Sequence, residues 1–141
     1  MKTETYTEMK ERQRIEANLL PIEFAFSNKQ FEKAKAKLGI HDNGELATFG
    51  SGSIIRKSDE PVIMATFNRH TEERKALLKD MNVLEDGFVY EMSNNEFAIN
   101  SQGVDDVLRC FDLTEEEVKN NPQVKAAFER ARKRYWETQH D

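Results

Sequence analysis

Two helix openings stand seven positions apart near the C-terminal end of this chain, and they limit its fold more than any other feature. Thr114-Glu115-Glu116-Glu117 supplies a capping hydroxyl followed by acids at the positive end of a helix dipole. Asn121-Pro122 supplies a second cap, with proline in the first turn. Behind it, Val124, Phe128, Ala131 and Tyr135 recur at i, i+4, i+7 and i+11, which is one face of a helix. Such a face must be covered, so the chain is expected to close with a helix docked on a core.

The same reading extends upstream. A first helix is expected over residues 5–20, with Tyr6, Met9, Ile15, Leu19 and Leu20 as its apolar stripe and Pro21 as its stop. Residues 22–26 read as extended. Ser27 with Gln30 three positions on forms a capping pair for a helix over 28–38 that buries Phe31, Ala34 and Leu38 and ends at Gly39. Ser58-Asp59-Glu60-Pro61 opens a third helix reaching about Asp80. Shorter helices follow over 83–93 and over 103–111, and residues 96–100 between them read as extended.

The stretch from 40 to 58 has a different texture. Asp42-Asn43-Gly44 marks a turn, and Gly50-Ser51-Gly52-Ser53 separates Leu46-Ala47-Thr48-Phe49 from Ser53-Ile54-Ile55-Arg56. Those two runs are expected to pair as a hairpin. The fold class is therefore mainly α (α+β with a minor hairpin): a single domain over 1–141, of five or six helices, with a two-stranded element near residues 46–57. A length of 141 residues suits one domain with one core.

Composition excludes several function classes. The single cysteine, Cys110, allows no internal disulfide and no multi-cysteine zinc site, and its neighbours Val107, Leu108 and Phe111 place it beside an apolar face. No stretch approaches the roughly 20 apolar residues of a membrane span, and the acidic start Met1-Lys2-Thr3-Glu4 is unlike a secretory signal. A cytoplasmic location without membrane contact is the expectation.

Charge argues against generic nucleic-acid binding. The net charge is −5, yet residues 122–141 hold five Lys/Arg against three Asp/Glu, which leaves −7 on the rest. A negative body repels phosphate backbones, so only a local patch could bind them. Arg130, Arg132, Lys133 and Arg134, with Trp136 for stacking, form that patch. Cations near a helix C-terminus also complement its dipole, and this structural reading takes precedence.

Catalytic and metal chemistry find little support. Gly50-Ser51-Gly52-Ser53 lacks the Gly-x-Ser-x-Gly order of a nucleophile elbow and reads as a hinge, or as an anion cradle with Arg56 and Lys57. His41, His70 and His140 are scattered, and the His70-x-x-Glu73 pair lacks the second pair that a carboxylate metal site needs. No catalytic residue, metal or cofactor is assigned. What stands out is a polar set at element ends: Asn28, Arg56, Lys57, Arg69, His70, Asn95 and Glu96 are the candidates for contact with a partner or ligand.

The succession Phe24-Ala25-Phe26-Ser27-Asn28-Lys29-Gln30, Ser53-Ile54-Ile55-Arg56-Lys57, Phe67-Asn68-Arg69-His70 and Tyr90-Glu91-Met92-Ser93-Asn94-Asn95-Glu96 resembles a group of small uncharacterised proteins of low-GC Gram-positive bacteria, their phages and mobile elements. The resemblance implies no catalytic residues. It implies a small cytosolic inhibitor or adaptor that binds a host protein. The leading expectation is a non-enzymatic binding, adaptor or regulatory protein acting through protein–protein contact. A nucleic-acid accessory protein using the basic C-terminal helix is one alternative. A small-ligand or enzymatic domain around His70, with Arg56 and Glu96, is another.

Overall fold

A computed structural model describes residues 4–48, 50 and 52–139. Among these it contains seven α-helices and three short strands. The chain divides into two compact units, one of residues 12–72 and the other of residues 1–11 with 73–141. The division falls within α1 (Tyr6–Asn18) and within α3 (Glu60–Leu77).

The unit of residues 12–72 is built around a small sheet. The expected hairpin is present: β2 (Leu46–Ala47) pairs antiparallel with β3 (Ser53–Arg56), Leu46 facing Arg56 and Ala47 facing Ile55. A third strand, β1 (Glu23–Phe24), pairs with the other edge of β3, so the two-stranded element is an antiparallel sheet of order β1-β3-β2. Phe49, the last residue of the expected first strand, and Ser51, within the expected glycine-rich link, lie outside the described residues. A helix packs against the sheet, as so small a sheet requires. That helix is α2 (Asn28–Leu38), with the boundaries the sequence predicts. Ser27 Oγ accepts from the Gln30 amide at 3.2 Å, the Gln30 side chain accepts from the Phe26 amide at 2.7 Å, and Gly39 closes the helix in the left-handed conformation. Its inner face sets buried Ala34 with half-buried Phe31 and Leu38 against Ile40, Ile54, Ala25 and Leu46.

The other unit is helical. α4 (Met81–Asn94) and α7 (Pro122–Gln139) form its most extensive helix pair. The N-terminal turns of α1, α5 (Gly103–Arg109) and α6 (Glu115–Lys119) complete the core. Both predicted caps hold: Thr114 and Glu117 bond reciprocally at the start of α6, and Asn121 Oδ1 accepts from the Val124 amide at 3.3 Å. The stripe Val124, Phe128, Ala131 and Tyr135 is buried throughout, with Ala127 between. Phe88 is fully enclosed and meets Phe111 and Phe128 edge to face, with ring centroids 4.8 and 5.1 Å apart. Gly87 lies on the same face, and a Cβ there would stand 3.0 Å from the Phe111 ring and 3.2 Å from that of Tyr6. Here glycine serves close packing, which offsets its cost within a helix.

Three expectations give way. Ile15 and Leu19, assigned to the first helix's buried stripe, are 47 and 80 % exposed; only Tyr6 and Met9 reach a core. Residues 96–100 form turns, and Glu96 takes a left-handed φ of 51°, so the segment cannot run as a strand. The cations of the last helix do not cap its dipole. α7 continues to Gln139, and its final turn carries no basic residue.

Candidate functional site

Strand alternation explains the most unusual surface of the 12–72 unit. Successive strand residues point to opposite faces. Ala25 turns into the core, and Phe24 and Phe26 turn out, 62 and 75 % exposed. The pairing continues past β1, since the Ala25 amide donates to the Gly52 carbonyl at 2.8 Å. Gly52 lies at φ +75° directly beneath the Phe26 ring; a Cβ there would sit 2.4 Å from Phe26 Cε1. Glycine is thus needed both for the backbone conformation and for the approach of the ring.

Helix periodicity supplies the rest of this surface. Because Phe31, Ala34 and Leu38 face inward, Lys33 and Lys37 face outward one turn apart. Together with Glu23, Phe24, Phe26 and Gln30 they line a shallow recess of about 390 Å³. Lys37 Nζ lies 3.4 Å from the Glu23 carboxylate, which ties α2 to β1.

Five of the seven residues of the sequence-predicted polar set lie in this unit. Asn28 is exposed at the first turn of α2, beside Phe26. Arg56 and Lys57 are exposed where β3 runs into α3, at the far end of the sheet by register. Arg69 and His70 are drawn together by Glu16 of α1. Its carboxylate accepts from Arg69 at 3.0 Å, lies 3.1 Å from His70 Nε2 and also pairs with Arg12. His70 is buried, and Gln13 donates to its carbonyl at 2.9 Å. The Arg69 hydrogen bond leads the effects that hold the Glu16 carboxyl below its ordinary range.

Asn95 and Glu96 belong to the helical unit, where Asn95 forms part of a polar network. At its centre is Glu91, 1 % exposed. Tyr6 Oη donates to Glu91 Oε2 at 2.5 Å, Lys10 Nζ donates to the same oxygen at 2.7 Å and Asn94 donates to Oε1 at 3.2 Å. Asn95 Nδ2 donates to the Glu91 carbonyl and approaches Cys110 Sγ, and Asn100 bridges Asn95 to Asp106. Burial pushes the Glu91 carboxyl upward, but the bonds from Lys10, Tyr6 and Asn94 outweigh it and leave the group below its ordinary value. The Tyr6 hydroxyl is pushed strongly upward, by burial first and by its bond to Glu91 second. Burial likewise raises the Cys110 thiol, which makes it a poorer nucleophile.

The C-terminal cations are also partnered. Arg130 Nε donates to Glu85 at 2.5 Å, and Arg134 reaches Glu85 at 2.8 Å and Asp86 at 2.7 Å. Burial raises the Glu85 carboxyl, and the two arginine bonds more than reverse that. Arg132 stacks on Phe97 and Phe128, at 5.7 and 5.6 Å from their centroids. Lys133 is exposed with no partner among the described residues. Trp136 is 39 % exposed and packs edge to face with Phe97 and Tyr135.

Two features escaped the sequence reading. The first is the Phe24/Phe26 face, which period-two alternation in Phe24-Ala25-Phe26 could have signalled. The second is buried Glu91, which lies seven positions after Leu84 on the core face of α4 and so marks a carboxylate on an apolar stripe.

The chain belongs to a family of unknown function (DUF7659), whose model matches residues 5–134. No match is found among curated proteins or among solved structures.

Proposed function

We propose that this protein is non-enzymatic and acts by contacting another protein through the Phe24/Phe26 face of β1. The observation that carries the reading is the pair of aromatic rings exposed side by side beside a recess. Single exposed apolar residues are ordinary, whereas adjacent aromatics beside a concavity have the make-up of interface anchors. Lys33 and Lys37 border the recess, so the complementary surface is an apolar pocket with an acidic rim. Asn28 extends the face at one end of the sheet, with Arg56 and Lys57 at the other. The resemblance to small proteins of Gram-positive bacteria, phages and mobile elements favours a host protein as partner, met in the cytoplasm by an inhibitor or adaptor.

The test is capture from the native host with the wild-type chain and with a Phe24→Ala/Phe26→Ala double variant. A protein retained by the first and lost by the second, with unchanged circular dichroism, is expected. Recovery of nucleic acid without protein, or equal capture by both chains, would sink the proposal. The nucleic-acid alternative predicts a steep fall of affinity with salt. The engagement of Arg130 and Arg134 by Glu85 and Asp86, and the stacking of Arg132, favour a shallow dependence.

A further inference from the structure

We infer that the partner of the β1 face docks as an added strand: an extended protein segment of alternating acidic and apolar residues joins the open edge of β1. The inference rests on the protein contact proposed above and specifies its form. Register supplies the first observation. Glu23 pairs with Ile54 and Phe24 with Ser53, and the Ala25 amide donates to the Gly52 carbonyl. Hydrogen-bonded and non-bonded pairs alternate along an antiparallel ladder. Glu23 and Ala25 therefore bond toward β3, and Phe24 turns its N–H and C=O the other way. Neither group finds a hydrogen-bond partner among the described residues. The amides on either side of it along that edge are occupied: Ile22 donates to the Leu20 carbonyl at 2.8 Å, and Phe26 donates to the Gln30 side chain at 2.7 Å. The edge is open at Phe24, with room for one reciprocal pair of main-chain bonds.

Side chains on the two sides of that edge set the partner's chemistry. In an added strand, the residue opposite Phe24 points to the Phe24 side, and its two neighbours point to the α2 side. On the α2 side Lys29, Lys33 and Lys37 are exposed at i, i+4 and i+8, and the last two line the recess beside β1. Lys37 is shared with Glu23, whereas Lys29 and Lys33 have no ion pair or hydrogen bond among the described residues. Cations on one side and an exposed ring on the other fit a strand with acids at alternate positions and apolar residues between them. A second copy of this chain fits less well. Antiparallel pairing of β1 with its own image places the two α2 helices on the same face across the seam, each lysine row toward the other. That like charge guards the edge against self-pairing and leaves it to an acidic strand.

The experiment titrates the full chain with acetyl-Glu-Val-Glu-Val-Glu-Val-Glu-amide and follows amide chemical shifts and hydrogen exchange. Saturable shifts at Glu23, Phe24, Ala25 and Lys33 are expected, with slowed exchange of the Phe24 amide. The valines are the residues that pair with Phe24, so N-methylating them should weaken binding at least about tenfold. The glutamate N–H groups point away from β1, and N-methylating those should change affinity less than about twofold. Lys33→Glu, an exposed change that leaves the core intact, should weaken the peptide about 2–5-fold. Absence of saturable shifts at β1, unslowed exchange at Phe24, equal loss on methylating either set, or unaltered affinity in Lys33→Glu would each overturn strand addition. If strand addition fails while the Phe24→Ala/Phe26→Ala pair still abolishes capture, the contact reading stands and only its form falls. Capture unaffected by that pair removes the contact reading itself.

Discussion

The two units handle aromatic residues in opposite ways. In the helical unit Phe88, Phe111, Phe128 and Tyr6 are buried and close on one another edge to face or tilted, and buried Tyr135 meets Phe97 and Trp136 edge to face. In the 12–72 unit the buried cluster is Ala34, Ile40 and Ile54, and Phe24 and Phe26 stand outside. The difference is geometric. Facing helices with a residue as small as glycine at a contact can enclose whole rings, whereas a two-residue strand covered on one face must turn alternate side chains to solvent. The first arrangement spends its aromatic surface on stability. The second leaves it open to solvent.

Mutations can break this contrast, and the largest effect is expected where the rings meet. Phe88→Ala should cost about 3–5 kcal/mol in denaturant unfolding, whereas Ile54→Ala should fall near the low end of the range for its class, about 2 kcal/mol. A larger loss at Ile54 would show that the small cluster is the firmer one. Gly87→Ala should cost about 1–3 kcal/mol, because the new methyl would crowd Phe111 and Tyr6.

Glu91→Gln probes the polar side of the same core and should cost about 1–3 kcal/mol at neutral pH. Its pH dependence has a definite sign. The Glu91 carboxyl sits below its ordinary value of 4.5 in the folded chain, so its stabilisation is complete above that value and is lost as pH falls through the folded pKa. The gap between wild type and Glu91→Gln should therefore narrow on acidification; a gap that widens would refute the assigned direction. Phe24→Ala sits at the small end, within about 0.5 kcal/mol for an exposed position. The proposed contact places its effect on binding, and a large loss of stability there would mean that the ring is structural.

Local signals predicted local structure well. Ser27 with Gln30, and Thr114 with Glu117, are caps because a short polar side chain next to a free amide satisfies it whatever else the chain does. Asn121-Pro122 and the four-residue stripe behind it fixed the last helix in the same way. The hairpin was legible from the glycine-rich link, but its third strand was not, since residues 22–26 carry no signal of which edge they will join. Arg130 and Arg134 show the other limit. Sequence places them near a helix end, but Glu85 and Asp86, nearly fifty residues away, are what they bind.

The sequence by itself determined where helices start, which faces of them are apolar, and that no helix among the described residues is long and apolar enough to cross a membrane. Those properties depend on neighbours within one or two turns. Tertiary structure alone decided which polar groups would be enclosed and which aromatic ones exposed. Glu91 is buried because Tyr6, Lys10 and Asn94 converge on it, and Phe24 is exposed because α2 covers only the other face of the sheet. Local pattern marks both positions, by the Phe24-Ala25-Phe26 alternation and by a carboxylate on an apolar helix face, but which side is covered rests on contacts between residues distant in the chain.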